Sequence, residues 1–100
     1  LEDNKLNVWI PELENVRVYV DISRYWLTDE DGKPKSVNSV YEEIKGSPDE
    51  VGRNTLRLAL DGNLDRGYFS NLVKLARLCS KWSGKKVALS DLLKIEEQDD

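Results

Sequence analysis

Apolar positions recur along this chain in short stretches set off by polar turns. The stretch with both ends marked is residues 47–62, SPDEVGRNTLRLALDG. Its spacing predicts a helix. Ser47 suits the N-cap, Pro48 the first helical position, and Glu50 stands three residues after the cap, as a capping box requires. Gly62 suits the stop, because it enters the left-handed conformation without a Cβ penalty. Val51, Thr55, Leu56, Leu58, Ala59 and Leu60 form the broad buried face, and Arg53, Asn54 and Arg57 project away from it. Upstream, Ser36 caps a helix running to about Lys45, with Val37, Val40, Tyr41 and Ile44 at 3.6-residue spacing and Gly46 at its end. Downstream, Ser70 caps a helix over 71–82. Leu72, Leu75, Ala76, Cys79 and Trp82 mark its inner face, Lys74, Arg77 and Lys81 lie elsewhere, and Ser83-Gly84 closes it. Ser90 caps a last short helix from Asp91 to about Ile95. Leu56, Leu60, Leu72, Leu75, Cys79 and Leu92 are expected to share one core.

The segment 15–27, NVRVYVDISRYWL, carries two periods at once. Val16, Val18, Val20 and Ile22 alternate as in a strand, and their β-branched side chains favour one. Val16, Tyr19, Val20, Ser23, Trp26 and Leu27 fit a helix equally well. The helical character of everything downstream tips the reading to helix. The whole is then an all-α, compact bundle of about five helices, with residues 1–14 as an N-terminal extension, 15–96 as the domain and 97–100 as an acidic tail. In the extension, Val8-Trp9-Ile10 before Pro11 reads as an apolar clamp packing over a domain edge. Residues 28–35, TDEDGKPK, read as a turn. A calcium loop centred on Gly32 puts Leu27 and Asn38 at its first and twelfth positions, where ligating carboxylates are required. A nuclease motif starting at Pro48-Asp49 also fails, because the acidic-x-Lys tripeptide Glu43-Ile44-Lys45 precedes it rather than follows it.

Composition narrows the chemistry. One hundred residues make one domain with a modest core. The single cysteine, Cys79, excludes an intrachain disulfide and suits a small core residue in a reducing, cytoplasmic setting. No apolar run approaches the roughly 18 residues of a membrane span, and no signal peptide is visible. The absence of methionine, even at position 1, leads us to expect a domain excised from a longer chain. With no histidine, Ser-His-Asp and Cys-His catalysis and His-based metal sites are ruled out. No cofactor or metal is expected. The net charge of −4 is unevenly spread: residues 1–32 hold three basic and eight acidic side chains, 33–86 eleven and six, and 87–100 one and five. A basic centre between acidic ends suits a local phosphate-facing patch.

Several of these residues resemble those of the Cro/repressor-type helix-turn-helix domains, also called XRE. They are Ser36-Val37 opening a helix, Arg53-Asn54-Thr55-Leu56 followed by Asp61-Gly62, Leu72-Val73-Lys74-Leu75-Ala76-Arg77-Leu78, and Val87-Ala88-Leu89-Ser90-Asp91-Leu92-Leu93. Together they cover about 60 of the 100 residues, from 36 to 95. The chain departs from the pattern in two places. Tyr41 or Glu42 stands where a small residue is usual, and Gly46 to Gly52 makes a longer join between the paired helices. The resemblance implies a helix-turn-helix pair whose second helix enters the major groove with Arg53, Asn54 and Arg57. Arg pairs bidentately with guanine and Asn with adenine. Ser36, Asn38 and Asn71, at helix starts, then meet phosphates, and Lys45, Arg66 and Lys74 add charge contacts that position without specifying sequence. Asp49 and Glu50, at the start of that second helix, suit its dipole but repel phosphate.

The function expected first is therefore sequence-specific binding of double-stranded DNA in transcriptional control. A second, from a different class, is an antitoxin-like or adaptor module that binds a protein partner or a second copy of itself. It draws on the overall negative charge, Asp49 and Glu50, and the three tryptophans. No constellation supports an enzyme, and no membrane contact is expected.

Overall fold

The computed structural model describes residues 16–97. Its elements run in the order β1 (Val16–Val20), a 3-10 turn (Ser23–Tyr25), α1 (Val37–Ile44), α2 (Arg53–Leu60), α3 (Phe69–Ser83), α4 (Leu89–Leu92) and β2 (Leu93–Glu97). The layout is α+β, which overturns the five-helix all-α reading. The segment 15–27 is the main correction. Its described residues begin with a strand, and the alternation of valines was the true signal. β1 pairs antiparallel with β2, in a register that sets Val18 against Ile95 and Val20 against Leu93. Residues 93–97 are the second correction: Leu93 and Ile95 alternate as in a strand, and β1 supplies the partner that a helix lacks. Residues 1–15, including the apolar clamp at 8–10, and residues 98–100 lie outside the described part.

After β1 the chain turns inward. The Asp21 carboxylate accepts from Ser23 N at 2.8 Å, an Asx turn that starts the 3-10 segment. It leaves Ile22 fully buried. Trp26 packs edge-on against Trp82, with ring centroids 5.7 Å apart, and its indole N–H donates to Lys35 O at 2.8 Å. Trp26 is thus a half-buried structural residue. The turn expected over 28–35 is present. The Asp29 carboxylate accepts from Asp31 N and Lys33 N, and Thr28 bridges to Pro34.

Ser36 caps α1 as expected, its side chain accepting from Ser39 N at 3.0 Å. Such a cap contributes about 1 kcal/mol. Gly46 follows at φ +82°, and the chain does not re-enter a helix until Arg53. The single helix expected over 47–62 is therefore shortened to eight residues, with Gly52 in the N-cap position. Ser47, Pro48 and Glu50 instead build a compact linker. Ser47 N donates to Ile44 O at 3.0 Å and Glu50 N to Ser47 O at 3.2 Å. Gly62 does end α2, at φ +71°. α3 starts one residue before Ser70, with Tyr68 at its N-cap, and ends at Gly84 in the left-handed conformation.

The core gathers Val20, Ile22, Val40, Leu56, Ala59, Leu75, Cys79 and Leu92, with Val51 and Val87 at its margins. Of the six residues expected there, Leu56, Leu75, Cys79 and Leu92 are buried and Leu72 packs against the core half-buried, whereas Leu60, also half-buried, is not part of it. The Ser80 hydroxyl fastens the segment after α3. It accepts from Val87 N at 2.9 Å and donates to Ala76 O at 2.9 Å. That holds Val87 in the core and delivers the chain to α4 and β2.

Candidate functional site

Two regions carry the side chains with functional potential. The first is the pair α1–α2 with its linker. Arg53 leaves the first turn of α2 toward α1. Its guanidinium donates to the Asn38 side chain at 2.8 Å, pairs with Glu42 at 3.2 Å, and lies 4.2 Å over the Tyr41 ring. The structure thus brings together two residues assigned to DNA, Arg53 and Asn38, and joins them to each other. Asn54 and Arg57 are exposed on the same helix and form no side-chain hydrogen bond or ion pair among the described residues. Ser36 is spent on the cap of α1.

The linker has its own electrostatics. The Glu50 carboxylate accepts from Gly46 N at 2.9 Å and from the Tyr41 hydroxyl at 3.0 Å. The backbone bond from Gly46, then the Tyr41 hydroxyl, hold its pKa below the usual glutamate range, with Lys45 and Lys74 nearby adding to the effect. The same bond, followed by partial burial, pushes the Tyr41 phenol above its ordinary value. Asp49 is 1 % exposed. Its two carboxylate oxygens lie 3.0 Å from Arg77 Nε and 3.2 Å from Lys81 Nζ, both on α3. Neither contact is aligned as a hydrogen bond, so charge rather than directed bonding holds the group. Asp49 and Glu50 therefore face inward and sideways as fasteners, not outward at a helix start. Sequence reasoning missed this because it put both residues in the first turn of α2. Lys45 and Lys74 flank Glu50; Arg66 and Asn71 lie in the second region.

That second region is an apolar cleft of about 200 Å³ between β1, α2 and the start of α3. Val18, Val20, Leu64, Phe69, Leu72 and Leu93 line it, with Thr55, Asp65, Arg66 and Asn71 as polar neighbours. Arg66 is paired with Asp65 at 3.2 Å, so the polar side of the cleft is locally balanced in charge. Tyr68 and Phe69 stand beside it at 80 % and 83 % exposure, and Val18 and Leu93 are also largely open to solvent. Two adjacent aromatics in water, next to an apolar depression, form the kind of patch that marks a binding surface. The sequence held a signal for this: Gly67-Tyr68-Phe69 sits between a polar turn and the inner face of α3, off the helical stripe.

Cys79 is fully buried, and burial pushes its thiol pKa up to about 12, so it does not serve as a nucleophile. Among the described residues no group of three or more His, Cys, Asp or Glu side chains is placed to hold a metal ion, and no helix is long and apolar enough to cross a membrane. Compared with known protein families, characterised proteins and solved structures, the chain matches none.

Proposed function

We propose that this domain is a protein-interaction module that takes an apolar anchor of a partner peptide into the cleft beside Phe69. The observation that carries the reading is the exposure of Tyr68 and Phe69 next to an apolar depression floored by Leu72 and Leu93. At about 200 Å³ the cleft is smaller than the roughly 300 Å³ of a small-molecule pocket. It suits one or two aliphatic or aromatic side chains. Aromatic residues at such a patch carry most of an interface's energy, because they bury large rigid areas at low entropic cost. The Asp65–Arg66 pair leaves the polar side without net charge, which favours an apolar anchor over a charged one. Selection of random peptides on the immobilised domain tests the reading. Enriched peptides should share an apolar anchor and bind Phe69→Ala at least about tenfold more weakly, with the melting temperature unchanged. No enriched family, or equal binding to Phe69→Ala, refutes it.

A second reading, sequence-specific DNA binding, rests on Asn54 and Arg57, exposed side by side on α2. Arg57→Ala should then cost about 1 to 3 kcal/mol on a selected site and relax preference at one base pair. Arg53 supports this reading less, since Glu42, Asn38 and Tyr41 already engage it. Selection from random duplexes in low salt, with the domain alone and artificially dimerised, decides it. Enrichment of no sequence removes it.

A further inference from the structure

β1 and β2 form a two-stranded ribbon whose two faces and two edges differ. Val16, Val18, Val20, Leu93 and Ile95 lie on one face together with Glu97 at its end, and Arg17, Tyr19, Lys94 and Glu96 on the other. The polar face is matched at Arg17, Tyr19 and Glu96, while Lys94 forms no ion pair among the described residues. Arg17 pairs with Glu96 at 3.7 Å and lies 4.0 Å over the Tyr19 ring, and Tyr19 donates to Glu96 at 3.3 Å. The apolar face is not covered among the described residues: Val18, Leu93 and Ile95 are 43–48 % exposed.

The edges follow from the hydrogen bonds at the ribbon's base. Val20 N donates to Leu64 O at 2.8 Å, so the backbone groups of Val20 point away from β2. Asp21 N donates to Leu92 O at 3.0 Å, so those of Asp21 point toward it. Alternation along an antiparallel pair then turns Arg17 and Tyr19 toward Glu96 and Lys94. Among the described residues it leaves the N–H and C=O of Ile95 and Glu97, and the C=O of Leu93, facing outward on the open edge of β2, while Leu93 N donates to Leu89 O and closes α4. Two residues with both backbone groups open, beside the Leu93 carbonyl, are a template for another strand.

We propose that this edge pairs with the β2 edge of a second copy of the chain, antiparallel about a two-fold axis at Ile95. The strand sequence Leu93-Lys94-Ile95-Glu96-Glu97 is self-complementary in that register. Ile95 opposes Ile95 of the second copy and exchanges both of its backbone bonds with it. Leu93 opposes Glu97, and there Glu97 N donates to Leu93 O, Leu93 N being held by Leu89 O. Lys94 opposes Glu96, twice over by symmetry. Each polar row then reads Arg17, Glu96, Lys94, Tyr19 across four strands, so charges alternate, and opposite charges directly across a ladder are favourable. On the other face, Val18 and Ile95 of both copies join into one apolar stripe. The pairing is isologous and closes on itself, which limits assembly to a dimer. It goes beyond both functional readings above and depends on neither: Val18 and Leu93 also line the cleft, but Ile95, at the axis, does not.

Sedimentation equilibrium on the full chain tests it with three variants. Ile95→Pro removes the outward N–H at the axis while costing β1 no hydrogen bond, because edge positions with solvent-facing N–H tolerate proline. It should be a monomer with unchanged circular dichroism and unchanged binding at the cleft. Lys94→Glu and Glu96→Lys each set like charges opposite one another, and each alone should dimerise about tenfold more weakly than the parent. Mixed together, Lys94→Glu and Glu96→Lys place opposite charges in both pairs across the axis, and the mixture should form a heterodimer about tenfold tighter than either variant's homodimer. A parent chain that stays monomeric up to about 1 mM, the weak limit of a specific contact, overturns the proposal. So does a dimer that survives Ile95→Pro, or a mixture that associates no better than its components.

Discussion

Asp49 offers a direct test of how the α1–α2 linker is held. It is the one buried charged residue among those described, and its two counter-charges, Arg77 and Lys81, are unequal to it in burial: the carboxylate is 1 % exposed and the cations 61 % and 64 %. The perturbations are therefore expected to be asymmetric. Asp49→Asn keeps the shape and returns two solvated cations to water, a loss of about 1 kcal/mol. Arg77→Met or Lys81→Met alone keeps the apolar stem and leaves one cation on the carboxylate, again about 1 kcal/mol or less. Arg77→Met with Lys81→Met strands a buried carboxylate without any opposite charge. Breaking a fully buried pair costs about 3 to 5 kcal/mol, and the open side of this one places the loss near the lower end, about 3 kcal/mol. In a chain of this size that lowers Tm by roughly 10 to 20 °C. Adding Asp49→Asn to the double variant should recover about 2 kcal/mol, because the stranded charge is gone. Urea unfolding of the five variants measures all of these terms. A double variant within about 0.5 kcal/mol of the parent, the range of ordinary surface changes, would show that water reaches Asp49 and that α3 does not anchor the linker through it.

Leu75→Ala, at a fully buried position midway along α3, should cost about 2 to 5 kcal/mol in the same assay, and a variant as stable as the parent would place Leu75 outside the core. The linker should also respond to acid. Glu50 titrates below its ordinary value, near 4.5, because Gly46 N and the Tyr41 hydroxyl donate to its charged form. A lowered folded-state pKa contributes stability that is present above the unfolded value and lost as pH falls through the folded one. Glu50→Gln should therefore flatten the fall of Tm below about pH 4.5, and Tyr41→Phe should shift that fall to higher pH. A Glu50→Gln profile parallel to the parent's would show that the two donors do not favour the carboxylate.

The parts of the fold legible in the sequence are those with local causes. Ser36 capped its helix, Gly62 and Gly84 stopped theirs in the left-handed conformation, and the stripe from Leu75 to Cys79 lay on the buried side of α3. The errors have non-local causes. Val16 to Val20 and Leu93 to Ile95 each show the two-residue alternation of a strand, but each is too short to decide its own state and finds its partner at the other end of the domain. At residues 47–52 the signals for a helix start were all present, yet Gly46 and Ser47 formed a turn, and Asp49 was drawn to the two cations of α3. A tertiary ion pair thus accompanies a local conformation that propensity alone assigned to a helix. The same limit applies to the candidate sites. The exposure of Arg57 could be read from helical spacing, whereas the capture of Arg53 by α1 depends on how that helix is placed. The cleft, assembled from β1, α2, the start of α3 and the start of β2, had no local signature beyond the two adjacent aromatics at 68 and 69.

The antiparallel pairing of the first and last described elements also sets how the domain bears mechanical load. Val16 and Glu97 oppose each other, so tension applied at the two ends of the described chain pulls adjacent strands apart from one end. The ladder is loaded as a zipper rather than in shear, and its bonds break one after another instead of sharing the force. Peeling first meets Arg17, whose guanidinium donates to Gly62 O and to the Asn63 side chain, and then Val20 to Ile22, where Val20 N is bonded to Leu64 O, Asp21 N to Leu92 O and Ile22 N to Ala59 O. Beyond that point the ribbon is tied into the helical core. A tether through this domain would therefore lengthen at low force by the ribbon alone, while α2 and α3 keep their packing.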